Sequence, residues 1–288
     1  MYLKLKKINK LISTIKALTI AKFFQGGVCA GYYNAKNFGD QLTPDILSFY
    51  KLKTFHAPIW RYAHVVAVGS ILHMLPESYK GAILGSGLIS DKEAKCFSNA
   101  KVYLVRGHLT RQLLDLRVDT PVGDPGLLAD VIYKSEVRSV IPIYKLGIVP
   151  HYRDKKNSFV ETIQEKYSNM ICVIDVENTP RKVVRKIAMC KNIVSSSLHG
   201  LVVADSLGIP NNRIILSEKI IGGDFKYKDY YSCFNKNPNP ITLKGNESLE
   251  DLLNQVTPVD PEKITDIKNN IKKAFFDFIN DYKRDRNI

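Results

Sequence analysis

Residues 192–210, NIVSSSLHGLVVADSLGIP, hold a strand, a turn, a helix and a stop in immediate succession, and this unit decides the fold. Asn192 to Ser195 is a short apolar, β-branched run of the kind that forms a buried strand. Ser195, Ser196 and Ser197 break it, and His199 to Leu207 then runs without a breaker, as a helix does. Gly208 and Pro210 end that helix in the usual Gly-then-Pro order. A strand passing through a polar turn straight into a helix is the repeating half of a parallel α/β sheet. In such sheets ligands collect outside the carboxyl ends of the strands. The serine turn is therefore the first place to look for a site.

The same alternation extends in both directions. Upstream, strands are expected at Val28 to Tyr33, His64 to Val68, Ala82 to Leu84 and Lys101 to Val105, each ending in a turn of small or polar residues. Those turns are Asn37-Phe38-Gly39-Asp40, Gly69-Ser70, Gly85-Ser86-Gly87 and Arg106-Gly107. A further turn, Gly123-Asp124-Pro125, opens a helix from Gly126 to Tyr133. The irregular stretch Lys134 to Lys145, with Pro142, marks a boundary. Beyond it, strands at Leu146 to Val149, Met170 to Asp175, Asn192 to Ser195 and Arg213 to Leu216 alternate with helices at Phe159 to Tyr167, Arg181 to Cys190 and His199 to Leu207. Helical segments 249–256 and 263–282 finish the chain. The pattern predicts an α/β protein of two Rossmann-like lobes, residues 1–140 and 141–288, consistent with a chain of 288 residues that is 45% hydrophobic.

Composition narrows the function classes. Five cysteines with no C-x-x-C pair suggest neither a disulfide framework nor a thiolate metal site, and fit a reducing, cytoplasmic setting. The six histidines show no H-E-x-x-H spacing and no D-x-D triplet is present, so neither a metal nor a cofactor is expected. The net charge of +14 favours anionic partners. No arginine-rich stripe interleaved with aromatics marks a nucleic-acid surface, and none is expected to bind. Lys4, Lys6, Lys7, Lys10, Lys16 and Lys22 are threaded through Leu5, Ile8, Leu11, Ile12, Ile15 and Leu18 at helical spacing, so residues 3–24 read as one basic amphipathic helix. Lysines interrupt it too often for a spanning segment or a signal peptide. It is expected either to pack on the first lobe or to lie on an anionic membrane surface.

The turns offer chemistry beside plainer structural roles. The N-terminus of the helix after Ser195-Ser196-Ser197 combines unpaired N–H donors with the positive dipole end and suits a phosphate or carboxylate. His199 falls in its first turn as a candidate acid; equally, the turn can be a structural cap. His151, in Pro150-His151-Tyr152-Arg153-Asp154, follows a buried strand and is a candidate base or an ordinary loop residue. Arg106 presents a planar fork for an anion at a strand end. Asp40 is an N-cap or a catalytic acid. Gly85-Ser86-Gly87 falls short of a dinucleotide fingerprint. Asp224 to Tyr230, aromatic and charged, reads as a solvated loop or a sugar-stacking lid.

Taken in order, Asn37-Phe38-Gly39-Asp40-Gln41-Leu42, Gly85-Ser86-Gly87, Val105-Arg106-Gly107, Gly123-Asp124-Pro125, Val149-Pro150-His151, Ser195-Ser196-Ser197-Leu198-His199-Gly200 and Lys228-Asp229-Tyr230 resemble the polysaccharide pyruvyl transferase family. The resemblance implies a fold similar to the two-lobed (GT-B) glycosyltransferases with a central cleft, a phosphoenolpyruvate donor and a ketal product. It marks His199 with Leu198 as a donor-site pair and Arg106 as a donor-binding arginine. Ser195, Ser196, Ser197, Gly200, Asn37, Gly39, Gly85, Ser86, Lys228, Asp229 and Tyr230 join them as substrate-binding candidates. The implied acceptor is a saccharide, lipid-linked in a cell-envelope pathway. The rival reading is a glycosyltransferase of the same shape taking a nucleotide sugar.

Overall fold

The computed structural model describes residues 2–34, 36–93 and 95–286, and the chain divides into two compact units. One comprises Met1–Asn34, Asp40–Pro125 and Ile267–Ile288; the other comprises Ala35–Gly39 and Gly126–Asp266.

The first unit is built on a five-stranded parallel sheet of β1 (Gly27–Gly31), β2 (Lys53–His56), β3 (Val65–Val66), β4 (Ala82–Leu84) and β5 (Lys101–Leu104), in the order β2-β1-β3-β4-β5. Its helices include α1 (Tyr2–Phe23), α2 (Leu42–Phe49) and α3 (His108–Leu113). Central β1, β3 and β4 are buried along their whole length, the reason they read as short apolar runs. Helix α1 ends at Phe23, and the turn that follows it carries Gly26 at a φ of +73°, the left-handed conformation that glycine adopts readily. The helix docks on β1 and β2 through a seam of small residues, with Thr14, Ala17 and Ala21 buried. Its large aliphatics, Leu5, Ile8, Leu11, Ile12 and Ile15, are instead 44 to 58% exposed.

The second unit repeats the design. After two short helices, α4 (Ala129–Ile132) and α5 (Lys134–Val137), come β6 (Leu146–Val149), α6 (Ser158–Lys166), β7 (Ile171–Val173), α7 (Pro180–Ala188), β8 (Ile193–Ser195), α8 (Leu198–Ser206), β9 (Asn211–Ile215), α9 (Phe225–Ser232), β10 (Ile241–Thr242) and α10 (Leu249–Leu253). The strands are parallel in the order β10-β9-β8-β6-β7. Numbered within its own unit, each sheet runs 2-1-3-4-5, the doubly wound order whose direction reverses between its first and third strands. Leu146, Ile148, Val160, Ile163, Ile171, Val194 and Ile214 form a core that continues to Ile241, Leu249 and Leu252. Helix α8 is buried at every position, as a helix apolar on all sides must be. Helix α11 (Pro261–Arg284) closes the chain, and its residues from Ile267 onward belong to the first unit.

Three stretches differ from the expectation. Asp224 to Tyr230 is no loop: Tyr227, Tyr230, Tyr231 and Phe234 recur at helical spacing and bury one face of α9 and its end. The helix expected over Gly126 to Tyr133 is split into a 3-10 turn, Pro125–Leu128, and the single turn of α4. Strands β2 and β10 and helix α2 are additional elements.

Candidate functional site

In the second unit the direction of winding reverses between β6 and β8, whose last residues, Val149 and Ser195, are register partners. The turns Pro150-His151 and Ser196-Ser197 thus leave from adjacent strand ends, the location at which doubly wound sheets bind ligands. The hydroxyls of Ser195 and Ser196 turn inward. Ser195 Oγ lies 2.9 Å from Val149 O and 2.7 Å from Ser197 O, and accepts from Ser197 N at 3.0 Å. Ser196 Oγ accepts from His151 N at 2.9 Å and donates to the buried Asp154 carboxylate at 2.7 Å. Ser217 Oγ donates to the same carboxylate, and Tyr227 OH donates to Ser196 O at 2.7 Å. Ser197 is the N-cap of α8 by position, yet its side chain makes no capping hydrogen bond.

Gly200 permits this close packing, because a Cβ there would stand 2.3 Å from Ser195 Oγ. His199, 7% exposed, occupies the first turn of α8. Asn37-Phe38-Gly39 belongs to the same unit and closes over it. A Cβ on Gly39 would fall 2.0 Å from His199 Nδ1, and the Phe38 ring meets the imidazole edge-on at 6.4 Å. Phe38 N donates to Val176 O at 2.8 Å, and Asn37 Oδ1 accepts from Gly39 N at 3.3 Å, which fixes the loop. The Asn-Phe-Gly segment and the Ser-x-x-His-Gly turn, distant in sequence, therefore form one packed cluster.

His151 lies beside this cluster. Burial, reinforced by the charges of Lys226 and Arg153 against the opposing Asp154, pushes its pKa down to about 4. It is neutral at pH 7, and its Nδ1 accepts from Arg153 N at 3.3 Å, leaving Nε2 to carry the proton. The α9 candidates are dispersed. Lys228 is on the surface, Asp229 is buried, and the buried Tyr230 donates its OH to Asp205 at 2.8 Å. Asp205 also accepts from Asn211 Nδ2 at 2.7 Å, and burial raises its pKa to about 6.

The side chain of α9 that reaches the serine turn is Tyr227, with the Arg213 guanidinium 3.9 Å over its ring and paired to Asp224 at 2.7 Å. Asp154, Tyr227 and Arg213 are the members that sequence reading passes over. Asp154 and Tyr227 sit inside quoted motifs, but nothing in their spacing distinguishes them from their neighbours. Arg213 has no such signal.

In the first unit the predicted residues gather at the carboxyl-end edge of its own sheet. Ser86 Oγ donates to Ala67 O at 2.7 Å, and Gly87 N donates to Gly69 O at 3.0 Å. Arg106 is wholly buried, donating to Ser70 Oγ and, at 2.7 Å, to Leu88 O. Gly87 is needed here, since a Cβ would stand 2.4 Å from the guanidinium carbon. Gly85, at φ +99°, brings its turn against Pro125. Asp40 approaches Gly69, where an added Cβ would stand 3.0 Å from Asp40 Oδ1. Asp40, Gly85, Ser86 and Arg106 thus belong to one unit and Asn37, Gly39, His151 and Ser195 to Gly200 to the other. Among the described residues no cluster of three or more His, Cys, Asp or Glu side chains is arranged to hold a metal ion, and no helix is long and apolar enough to cross a membrane.

Two parallel sheets of one strand order, with polar turns at their carboxyl ends, define a doubly wound α/β protein. The family model for polysaccharide pyruvyl transferase matches residues 29–214, and the chain belongs to that family. It is 32% identical over 203 residues to the uncharacterized protein L143 of Acanthamoeba polyphaga mimivirus, covering 66% of this chain and 69% of that protein. It is 26% identical over 204 residues to the succinoglycan biosynthesis protein ExoV of Rhizobium meliloti, covering 67% of this chain but 60% of ExoV. A crystal structure of an uncharacterized Klebsiella pneumoniae protein aligns over 79% of this chain and 96% of its own, with 15% identity and a TM-score of 0.42.

Proposed function

We propose that this chain transfers the pyruvyl group of phosphoenolpyruvate to two hydroxyls of a saccharide in a polysaccharide or its lipid-linked precursor, releasing phosphate. Family membership and the likeness to ExoV support a transferase of polysaccharide biosynthesis. The observation that carries the reading to a mechanism is the packing of Asn37-Phe38-Gly39 on His199 in the first turn of α8, at the reversal point of the second sheet. A helix N-terminus at that place suits the donor's anionic groups.

In this reading His199 protonates the methylene carbon of phosphoenolpyruvate, which leaves positive charge at C2. One acceptor oxygen bonds to C2 and gives up its proton to a base, His151 or Asp40. The C2–O bond to phosphate then breaks, and the second hydroxyl closes the ketal as its proton passes to solvent or phosphate. Donors aimed at the developing charge lower the barrier most when they are held in place beforehand. The bonds among Ser195, Ser196, Asp154 and Tyr227 provide that rigidity. Arg106, with its guanidinium held between Ser70 and Leu88, is assigned the task of fixing the anion-facing turns Gly69-Ser70 and Gly85-Ser86-Gly87. Lys228, Asp229 and Tyr230 enter as support for α9.

The two parallel sheets support reading the units as lobes of an architecture similar to the two-lobed glycosyltransferases. The division of the chain into 1–140 and 141–288 belongs to the same proposal. A cytoplasmic protein resting on an anionic leaflet fits α1, whose outward stripe of leucine and isoleucine is flanked by lysines with no acidic residue in the helix. The decisive experiment is a thermal-shift panel without divalent metal. Phosphoenolpyruvate at 100 times its dissociation constant is expected to stabilise the protein by about 2.7 kcal/mol. Stabilisation by a uridine or cytidine diphosphate sugar instead overturns the donor assignment.

A further inference from the structure

The first unit holds a cavity of about 620 Å³ beyond the carboxyl ends of β1 and β2 that the proposed donor chemistry leaves unused. Its wall carries Trp60, the only tryptophan of the chain, set edge-on to the Tyr33 ring at 5.6 Å and 82°. Trp60 packs down on Gly31 at the end of β1, where a Cβ would come within 3.1 Å of the indole. Tyr33 remains 46% exposed beside it. Asn34 and His56 add an amide and an imidazole, and Lys10 and Arg61 bring cations, while among the described residues no acidic side chain lines the space. Burial, opposed by the hydrogen bond between Nε2 and Tyr32 O at 3.0 Å and aided by the charge of Lys10, holds the His56 pKa below its usual value, so the ring is neutral and offers Nδ1 as an acceptor.

Two side chains, Gln41 and Thr14, tie this cavity to features already described. Gln41, of the Asn37 to Leu42 motif, donates from Nε2 to Tyr33 O at 3.1 Å and to Asn34 Oδ1 at 3.4 Å, holding the lip in place. Thr14 of α1 donates to Lys10 O at 2.8 Å and accepts from Ile59 N of the cavity wall at 3.2 Å. The helix that turns its aliphatic side outward is thereby fastened to the wall of the cavity and delivers Lys10 to it.

Aromatic faces meeting at a corner suit the C–H surface of a pyranose better than a flat base, which prefers parallel plates. The amide and imidazole answer to sugar hydroxyls, and the cations answer to a diphosphate. We propose that this cavity is the acceptor site and takes the saccharide of a prenyl-diphosphate-linked precursor. The sugar lies against Tyr33 and Trp60, the diphosphate sits at Lys10 and Arg61, and the prenyl chain follows the exposed side of α1. This assignment rests on the pyruvyl-transfer reading and adds to it where the acceptor binds and by which groups.

Because Trp60 is the only tryptophan, its emission reports the cavity directly. The full chain is titrated with farnesyl diphosphates bearing glucose, galactose or N-acetylglucosamine, with the matching methyl glycosides, and with the matching uridine diphosphate sugars. At least one farnesyl-linked sugar is expected to shift the emission with a Kd at least 10-fold below that of its methyl glycoside. Lys10→Ala with Arg61→Ala is expected to erase that advantage, and Tyr33→Ala to weaken both ligands. All three side chains lie at the surface or rim, and unchanged melting temperatures check that the variants fold.

Emission that responds to none of the probes overturns the proposal. So does a uridine diphosphate sugar that binds more tightly than the prenyl-linked one, or affinity indifferent to the three substitutions. Phosphoenolpyruvate stabilisation is measured on the same samples. Its loss in the wild type refutes the donor reading alone, and its retention in variants that no longer bind the sugar probes assigns their defect to the cavity.

Discussion

In the second unit the space beyond β6 and β8 is filled by protein: Ser195, Ser196, Asp154 and Tyr227 bond to one another and to the strand ends, and His199 is packed under Gly39. In the first unit the ends of β1 and β2 open on a cavity of about 620 Å³ lined by aromatic rings and cations. The same strand order thus yields a tightly held polar cluster in one case and a roomy, half-apolar recess in the other. A small donor with a demanding reaction coordinate benefits from preorganised groups, whereas a large ligand needs area and shape. The contrast lies in the loops: glycines at 39 and 200 bring the second unit's turns into contact, while Trp60 and Tyr33 prop the first unit's apart.

The sharpest way to break this contrast is His199→Ala. A lost general acid costs about 100-fold to 10,000-fold in rate, so phosphate release at saturating acceptor should fall by that range with the melting temperature little changed. Nearly normal turnover with a lowered melting temperature would reduce the cluster to a structural cap. Gly39→Ala tests the same packing from the other side. Its Cβ would stand 2.0 Å from Nδ1, so the imidazole must move, and a displacement of that kind is expected to lower kcat about 100-fold. Gly87→Ala, which drives a Cβ to 2.4 Å from the Arg106 guanidinium, should instead cost about 1–3 kcal/mol of stability in urea unfolding.

The units also share a response to acid. His64 in the first and His151 in the second are both pushed down to about 4, chiefly by burial, from a usual value of 6.5. Unfolded chains take up a proton near pH 6.5 that the folded protein refuses until about pH 4. Each histidine therefore leaves stability intact above pH 6.5 and removes up to about 3 kcal/mol as pH falls through that window. Asp205, raised from 3.8 to about 6, acts in the opposite sense and weakens the fold as pH rises over nearly the same range. Denaturant midpoints between pH 4 and pH 7 should therefore rise with pH, and Asp205→Asn should steepen the rise; a flatter profile in that variant contradicts the assignment. The smallest effect is expected from Tyr227→Phe, which removes one donor to Ser196 O and should cost about 0.5–1.5 kcal/mol, with turnover reduced only several-fold.

The strands that bracket each reversal point are legible in the sequence because burial on both faces writes them as apolar runs, as in Val65 to Val68 and Leu146 to Val149. β2 is not, because Lys53, Thr54 and His56 surround a lone Phe55 on an edge strand with little of it buried, and β10 is two residues long. Helix α9 hides behind its charges, since Asp224, Lys226, Lys228 and Asp229 mask tyrosines whose spacing is helical. In the candidate site, the motifs mark turns at the carboxyl ends of strands but not the directions of their side chains. Ser195 and Ser196 look like caps until their hydroxyls are seen to face inward, and Arg106 looks like an open fork for an anion until its burial between two turns is known. Packing across long sequence separations sets those directions, and no local pattern records it.

Helix α11 bears on biogenesis. Tyr50 stacks on Phe275 at 5.0 Å, Tyr103 donates to Asp281 at 2.8 Å, and Tyr282 donates to Gly27 O at 2.7 Å, so the first unit draws part of its interior from residues made after the whole of the second unit. The second unit is nearly continuous, from Gly126 to Asp266. On a ribosome adding about 5–20 residues each second, the unit encoded later can close while the one encoded earlier still waits for its final helix. Until α11 emerges, the surface destined for Phe275 and Phe278 stays open to water and to chaperones, and a nascent chain stalled before Ile267 would present one finished unit and one unfinished sheet.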